Sequence, residues 1–211
     1  MQLIEHKLPN DHNIFIFGDE HEGSRLFSRK GWNKLVKMMG EEYEGCKNNY
    51  GIDGGDAMES IMVDDKRFSE DMLDEPRPLA QMKACVKSRE QIADIMLAWL
   101  TGNHEDKLWR YGNVVKDMCE QLKIPYGTYA CKVIIKDKND NLMYKIFDMH
   151  GKTNINSVAD DEERRMANMN LTLKRKLRNK SADCAVMIKH HAHKLLVCEP
   201  KPKLYLYDEN G

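Results

Sequence analysis

The sequence predicts a mixed fold of the α/β or α+β class, built as one domain over residues 1–211. Two observations carry that expectation. Short apolar runs of strand length are interspersed with stretches of helical period along the whole chain. No internal repeat, low-complexity tract or linker divides them. Hydrophobic residues make up 41% of the chain, enough to bury a sizeable core, and charged residues make up 32%.

The elements follow in order. Residues 13–17 form an apolar run ending at Gly18 and read as a buried strand. Part of 25–39 is expected to be helical and closed by Gly40, and 41–55 to be mostly loop with a weak strand just before Gly54. Residues 76–93 read as a helix, since Leu79, Met82, Val86 and Ala93 keep a helical period and Pro78 suits a first turn. A buried strand is expected at 95–100 and an amphipathic helix at 106–122. Residues 129–135 and 142–149 read as a hairpin joined by the polar turn 137–141. The stretch 160–180 opens with acids and closes with bases, as a helix dipole favours. Strands are expected at 185–188, 195–198 and 204–207. The chain then stops at a turn with no returning strand, which reads as a domain cut short at its C-terminus.

Charge and composition exclude some classes. Lys and Arg number 33 against 34 Asp and Glu, so no global basic field points to nucleic acid or to a membrane surface. The longest apolar stretch, 92–100, is interrupted by Asp94 and falls far short of the roughly 18–20 residues of a membrane span. Residues 1–11 lack the pattern of a signal peptide. The six cysteines form no CxxC pair and several sit in apolar strings, so reduced, buried thiols in a cytoplasmic protein are expected. The 14 methionines read as core filler.

The histidines carry the chemistry. Of eight, His6 and His12 show no partner pattern. His21, His104, His150, His190, His191 and His193 each follow a strand-like run within a few residues, where open sheets place their sites. Asp19 and His21 are related as i, i+2, as are His191 and His193, so each pair points to one face of an extended segment and the two pairs can grip a metal from opposite sides. Imidazole and carboxylate together suit Mn, Fe, Zn or Ni.

Taken in order, Asp19-Glu20-His21, Gly55-Asp56-Ala57-Met58-Glu59, Gly102-Asn103-His104-Glu105, His150 and His191-Ala192-His193 resemble the calcineurin-like metallophosphoesterase family. That family's pattern runs D-x-H, GD-x-x-D, GNH-D/E, H, GH-x-H. The resemblance implies a four-layer α/β/β/α sandwich with two divalent metal ions at the strand ends. It implies that Asp19, His21 and His193 hold the first ion, that Asp56 bridges both, and that Asn103, His150 and His191 complete the second. It implies a metal-dependent phosphoesterase that attacks its phosphate ester with a metal-activated hydroxide, while His104 protonates the leaving oxygen. Two positions depart from the pattern. His190 stands where the family has Gly, and either faces the substrate or is solvated. Glu59 replaces Asp at a position that is not a direct ligand in the family.

Substrate class is less legible. The walls expected around the site are 43–53, 67–78 and 153–180, with no room for a large cap domain, so an open site and a phosphodiester substrate are favoured. The alternatives are a phosphomonoesterase, acting on protein or small molecules, a non-catalytic metal-binding scaffold, and a hydrolase of another bond such as an amide. Arg67, Arg77, Lys107 and Arg110 could clamp a phosphate, and Lys107 and Arg110 come first because they follow His104. The basic stretch 174–180 either touches a nucleic-acid backbone or is a solvated helix C-terminus.

Overall fold

A computed structural model describes residues 1–178, 180–181 and 183–198. The chain runs β1 (Gln2–Lys7), β2 (Asn13–Phe17), α1 (Arg29–Gly40), β3 (Asn49–Asp53), α2 (Pro78–Arg89), β4 (Met96–Trp99), α3 (Asn103–Asp106), α4 (Val114–Leu122), β5 (Ala130–Lys136), β6 (Leu142–Met149), α5 (Glu162–Leu177) and β7 (Val186–Lys189). The strands form two sheets, one in the order β2-β3-β4 and one in the order β1-β5-β6-β7. All pairs are parallel except β5 with β6, the expected hairpin.

Three apolar cores stack these sheets into four layers. Between the sheets, Ile4, Val133, Ile135 and Ile146 meet Ile52, Leu97 and Ala98. On the outer face of the three-stranded sheet, Phe15, Phe17 and Trp99 pack against α1, α2 and α4 through Trp32, Val86 and Met118. On the outer face of the other sheet, Phe147 and Met187 pack under Met169, Leu173 and Leu177 of α5. β4, covered on both faces, is buried at every residue and reads as a continuous apolar run, whereas β5 alternates between buried and half-buried residues. The expected mixed class and the α/β/β/α sandwich both hold.

Parallel pairing has a direct consequence for the site. β2, β3 and β4 end at one edge, and their next residues are Gly18-Asp19, Gly54-Gly55-Asp56 and Leu100-Thr101-Gly102-Asn103. β6 and β7 end together in the facing sheet, before His150 and His190-His191. Every motif named above therefore leaves a strand C-terminus at the same rim.

Several element expectations need correction. β1 was not legible: it lies on a sheet edge and Ile4 is its one buried residue. β2 is only half-buried, because it is the edge of its sheet, whereas the expected weak strand before Gly54 is the central one, β3, buried at all but Tyr50. The helix expected at 106–122 is broken: a 3-10 segment, Lys107–Tyr111, stops at Gly112, whose φ is +122°, and Asn113 caps α4 by accepting from Lys116 N. Likewise α2 ends at Arg89 and continues as a 3-10 segment, Glu90–Ile95. Residues 195–198 keep a strand-like alternation, with Leu196 and Cys198 packed on the α5 core and Leu195 and Val197 exposed, but no strand pairs with them among the described residues. The strand expected at 204–207 and the terminal turn lie outside the described residues.

All six cysteines are free thiols, four of them buried. No helix among the described residues is long and apolar enough to cross a membrane.

Candidate metal centre

The loops after β2 and β3 are zipped together. Asp19 N donates to Gly55 O at 2.8 Å, His21 N to Asp56 O at 3.0 Å, and Glu22 N to Ala57 O at 2.7 Å. These bonds fix Asp19 and His21 against Asp56. The N-terminus of α3 then docks on Asp56, whose Oδ1 accepts from His104 N at 2.7 Å. Gly102 is required for that approach, because a Cβ there would lie 2.0 Å from Asp56 Oδ1. Beneath, the buried Glu105 carboxylate accepts from Gly102 N at 2.9 Å, Met58 N at 2.9 Å and Asp56 N at 3.2 Å. Burial, with the Asp56 charge adding to it, pushes its carboxyl up to about 7.

The backbone at the site is strained where the ligands sit. Asp19, His21, Asp56, His191 and His193 have φ between 48° and 71°. Each such residue costs about 1–3 kcal/mol and persists only where its surroundings dictate it. This corrects the picture of extended i, i+2 pairs. The left-handed turns send His191 and His193 to different groups of side chains. Asp19, His21 and His193 have ligand atoms within 4.8 Å of one another, and so do Asp56, His150 and His191. His21, Glu59 and His104 form a third such group.

The second group is the more buried, and its hydrogen bonding is incomplete in an informative way. His150 Nδ1 donates to Gly54 O at 2.8 Å, which leaves Nε2 as the lone-pair nitrogen of a neutral ring. Nε2 lies 3.0 Å from Asn103 Oδ1 and 3.1 Å from Asp56 Oδ2. Three acceptors so close repel unless a proton or a metal ion lies among them. Asp56 Oδ2 has no hydrogen-bond partner, and neither has either nitrogen of His21 or Nδ1 of His191, although all are buried. His21 Nδ1 is 3.1 Å from Glu59 Oε2, but out of line for a hydrogen bond. Unpartnered buried carboxylate oxygens and imidazole nitrogens, whose lone pairs a cation can take, are what a metal site needs.

The electrostatics agree. At His21, burial opposes the charged form, but Glu59 and Asp56 outweigh it and the pKa is raised. At His150 burial is likewise outweighed by Asp56. A field that holds a proton here also attracts a divalent ion, and binding must displace that proton. Metal affinity is accordingly expected to weaken as pH falls through the raised His21 and His150 values, with protons released on loading. Calorimetric titration in two buffers of different ionisation enthalpy measures that release, and none at acid pH would contradict it.

The other expected site residues fall into place as follows. His104 is nearly buried, and its Nδ1 is held by Glu59 O, so Nε2 is the free nitrogen. Burial, with His21 adding to it and Asp56 opposing, lowers its pKa. A cavity of about 420 Å3 opens over Asp19, His21, Glu59, His104 and His193, and Arg67 also lines it, its guanidinium held on Asp65 through Nε at 3.1 Å and Nη2 at 2.9 Å. Lys107, Arg110 and His190 do not line it. Lys107 Nζ lies 3.4 Å from Asp65 and Arg110 Nη2 lies 2.9 Å from Asp64, so both tie the 3-10 segment to the neighbouring loop. His190 is not solvated. Its ring packs on Gly18 and Gly54 and its Nε2 lies 3.0 Å from the buried Asp148. A Cβ at Gly54 would come within 2.1 Å of that nitrogen, so a bulky 190 requires a bare 54.

Sequence reasoning missed Arg89. This side chain is buried between the rings of Trp32 and Trp99, each 4.6 Å away. It binds Asp53 Oδ2 through Nε at 2.9 Å and Nη2 at 2.7 Å, and reaches Glu20 at 3.0 Å. It thereby ties the end of β3 to the Asp19–His21 turn. A signal existed, because Arg89 continues the apolar stripe of Met82 and Val86, and a charge on a buried stripe needs partners.

A family model described as Calcineurin-like phosphoesterase matches residues 12–209 of the chain. Comparison with curated proteins gives no match.

Proposed function

Since the chain belongs to the calcineurin-like phosphoesterase family, and so is a metal-dependent phosphoric ester hydrolase, we propose that it hydrolyses phosphodiesters at a dinuclear metal centre. In this reading Asp19, His21 and His193 hold one ion, and Asn103, His150 and His191 the other, with Asp56 shared. The observation that carries it is the convergence of His150 Nε2, Asn103 Oδ1 and Asp56 Oδ2 at 3.0–3.1 Å with no hydrogen to share in the neutral tautomer. Mn, Fe, Zn and Ni suit this nitrogen and oxygen set.

When bound, the ions supply Lewis acidity to the phosphoryl oxygens and acidify the attacking water. The chain's own residues do the rest. Gly54 O fixes the His150 tautomer. Glu59 O holds His104 by Nδ1, so Nε2 faces the cavity and can pass a proton to the departing alkoxide. Leu26, Ile61 and Met72 extend the cavity beyond these groups, which supports a substrate esterified on both sides of its phosphate. Arg67 lines the same cavity, and a substrate phosphate could draw its guanidinium from Asp65. Arg67→Ala is therefore expected to raise KM about tenfold with kcat little changed, the signature of lost uniform binding. A fall in kcat alone would place Arg67 in the chemistry instead.

Hydrolysis of bis(p-nitrophenyl) phosphate beside p-nitrophenyl phosphate tests the whole reading, with metal-stripped protein re-supplied with Mn, Ni, Zn or Mg. The diester is expected to turn over faster. Faster monoester turnover would make the protein a phosphatase, and silence on both with every metal would count against the dinuclear reading.

A further inference from the structure

A second cavity, of about 410 Å3, lies at the same rim and is strongly basic. Lys152, Arg175, Lys176, Lys180 and Lys189 line it together with Thr153, and no carboxylate does. The chain as a whole carries a net charge of -1, so this is a local concentration of positive charge and not a general one. The dipole of α5 accounts for bases at that helix end, but not for Lys152 after β6 or Lys189 at the end of β7. Lys152 is paired with Asp106 at 2.9 Å. Among the described residues, Lys176 bonds to the Thr153 hydroxyl, and Lys189 donates to His190 O at 2.8 Å. Arg175 and Lys180 are exposed. Among the described residues, no carboxylate forms an ion pair with these last four.

The cavity is one strand edge away from the metal centre. Its wall includes Met149 and Gly151, the two neighbours of His150, and Lys189, two positions before His191. Strand alternation turns Lys189 to the face opposite His190, so it lies over Gly151, with Cε 3.0 Å from where a Cβ there would be. Tyr129 stands beside it, 42% exposed, with Lys152 Nζ 5.5 Å from its ring centroid. Tyr129 O accepts from His150 N at 3.2 Å, which fixes its backbone beside the centre, and its hydroxyl donates to Asp106. Cations along a groove with an aromatic face among them are the means by which proteins follow a single strand without reading its sequence.

We propose that this basic cavity holds a flanking phosphate of a single-stranded nucleic acid whose scissile phosphate occupies the metal centre. The inference rests on the phosphodiesterase reading and narrows its substrate class from small diesters to polynucleotides. A mononucleotide or a simple ester has no second phosphate diester to place there.

The test compares the parent protein, Arg175→Glu/Lys180→Glu, and Lys138→Glu, a charge reversal at the remote hairpin turn. Both residues of the double variant are exposed, so folding is not at stake. Two quantities are read: kcat/KM for fluorescein-labelled oligothymidylate relative to that for bis(p-nitrophenyl) phosphate, and strand binding by anisotropy across a salt series. The double variant is expected to lose at least tenfold in both relative kcat/KM and strand affinity. Its log–log salt slope should be shallower by about 0.7, for the one flanking phosphate that is no longer neutralised. An unchanged ratio and affinity, or an equal loss in Lys138→Glu, would overturn the inference and leave the phosphodiesterase reading intact. A parent that binds the strand through Arg175 and Lys180 yet cleaves neither diester would uphold the cavity and overturn the hydrolytic reading alone.

Discussion

Asp56→Asn is expected to strip the buried metal position and abolish turnover while leaving the fold intact. The geometry makes this substitution more than the loss of one charge. His104 N donates to Asp56 Oδ1 at 2.7 Å, so the amide oxygen of Asn would take that place and the amide nitrogen would take the place of Oδ2. That nitrogen would then lie 3.1 Å from His150 Nε2, the distance of the present oxygen. It is a donor facing a lone pair, and the hydrogen bond it makes occupies the electrons a metal would use. Even outer partners of metal ligands are worth 10–100-fold in affinity, so replacing a ligand that also loses its charge should cost roughly 100-fold or more. The metal-free variant should unfold no earlier than the metal-free parent, because three crowded acceptors become two and a donor. Metal content per chain by elemental analysis, beside thermal unfolding in chelator, reads both effects. Two ions at full occupancy in Asp56→Asn would remove Asp56 from its shared role.

The parts of this site that were legible in the sequence share a feature. Each was written in consecutive residues at the end of an apolar run. Asp19-Glu20-His21, Gly102-Asn103-His104-Glu105 and His191-Ala192-His193 carry their strand end with them, and parallel pairing does the rest. What escaped was information held between segments. His190 looked like a choice between substrate and solvent, because nothing local says that Gly18 and Gly54 leave a ring-sized space or that Asp148 waits behind it. Arg89 drew no notice, because Asp53 and Glu20 lie 36 and 69 positions away in sequence. β1 offered one buried residue in six to an argument that counts apolar ones. The break at Gly112 shows the opposite failure: the signal was local, but an amphipathic period on both sides of it was read as one helix.

His104→Ala separates proton transfer from everything else at the site. The link that positions Asp56 runs through the His104 backbone N–H, which alanine keeps, so the ligand arrangement should survive and metal content should match the parent. What disappears is the imidazole, held at Nδ1 by Glu59 O and presenting Nε2 to the cavity over His21 and His193. A positioned general acid contributes about 10^2–10^4-fold when the leaving oxygen needs its proton, and little when it leaves readily as an anion. The loss should therefore depend on the ester. With alkyl leaving groups kcat is expected to fall by about that range, and with p-nitrophenolate by much less, so that log kcat against leaving-group pKa becomes steeper in the variant. A uniform loss across the series at full metal content would instead mean that His104 stabilises charge on the phosphoryl group. Turnover equal to the parent throughout would remove it from the reaction, and the orientation imposed by Glu59 would then serve only to pack His104 edge-on against His21, their ring centroids 4.5 Å apart.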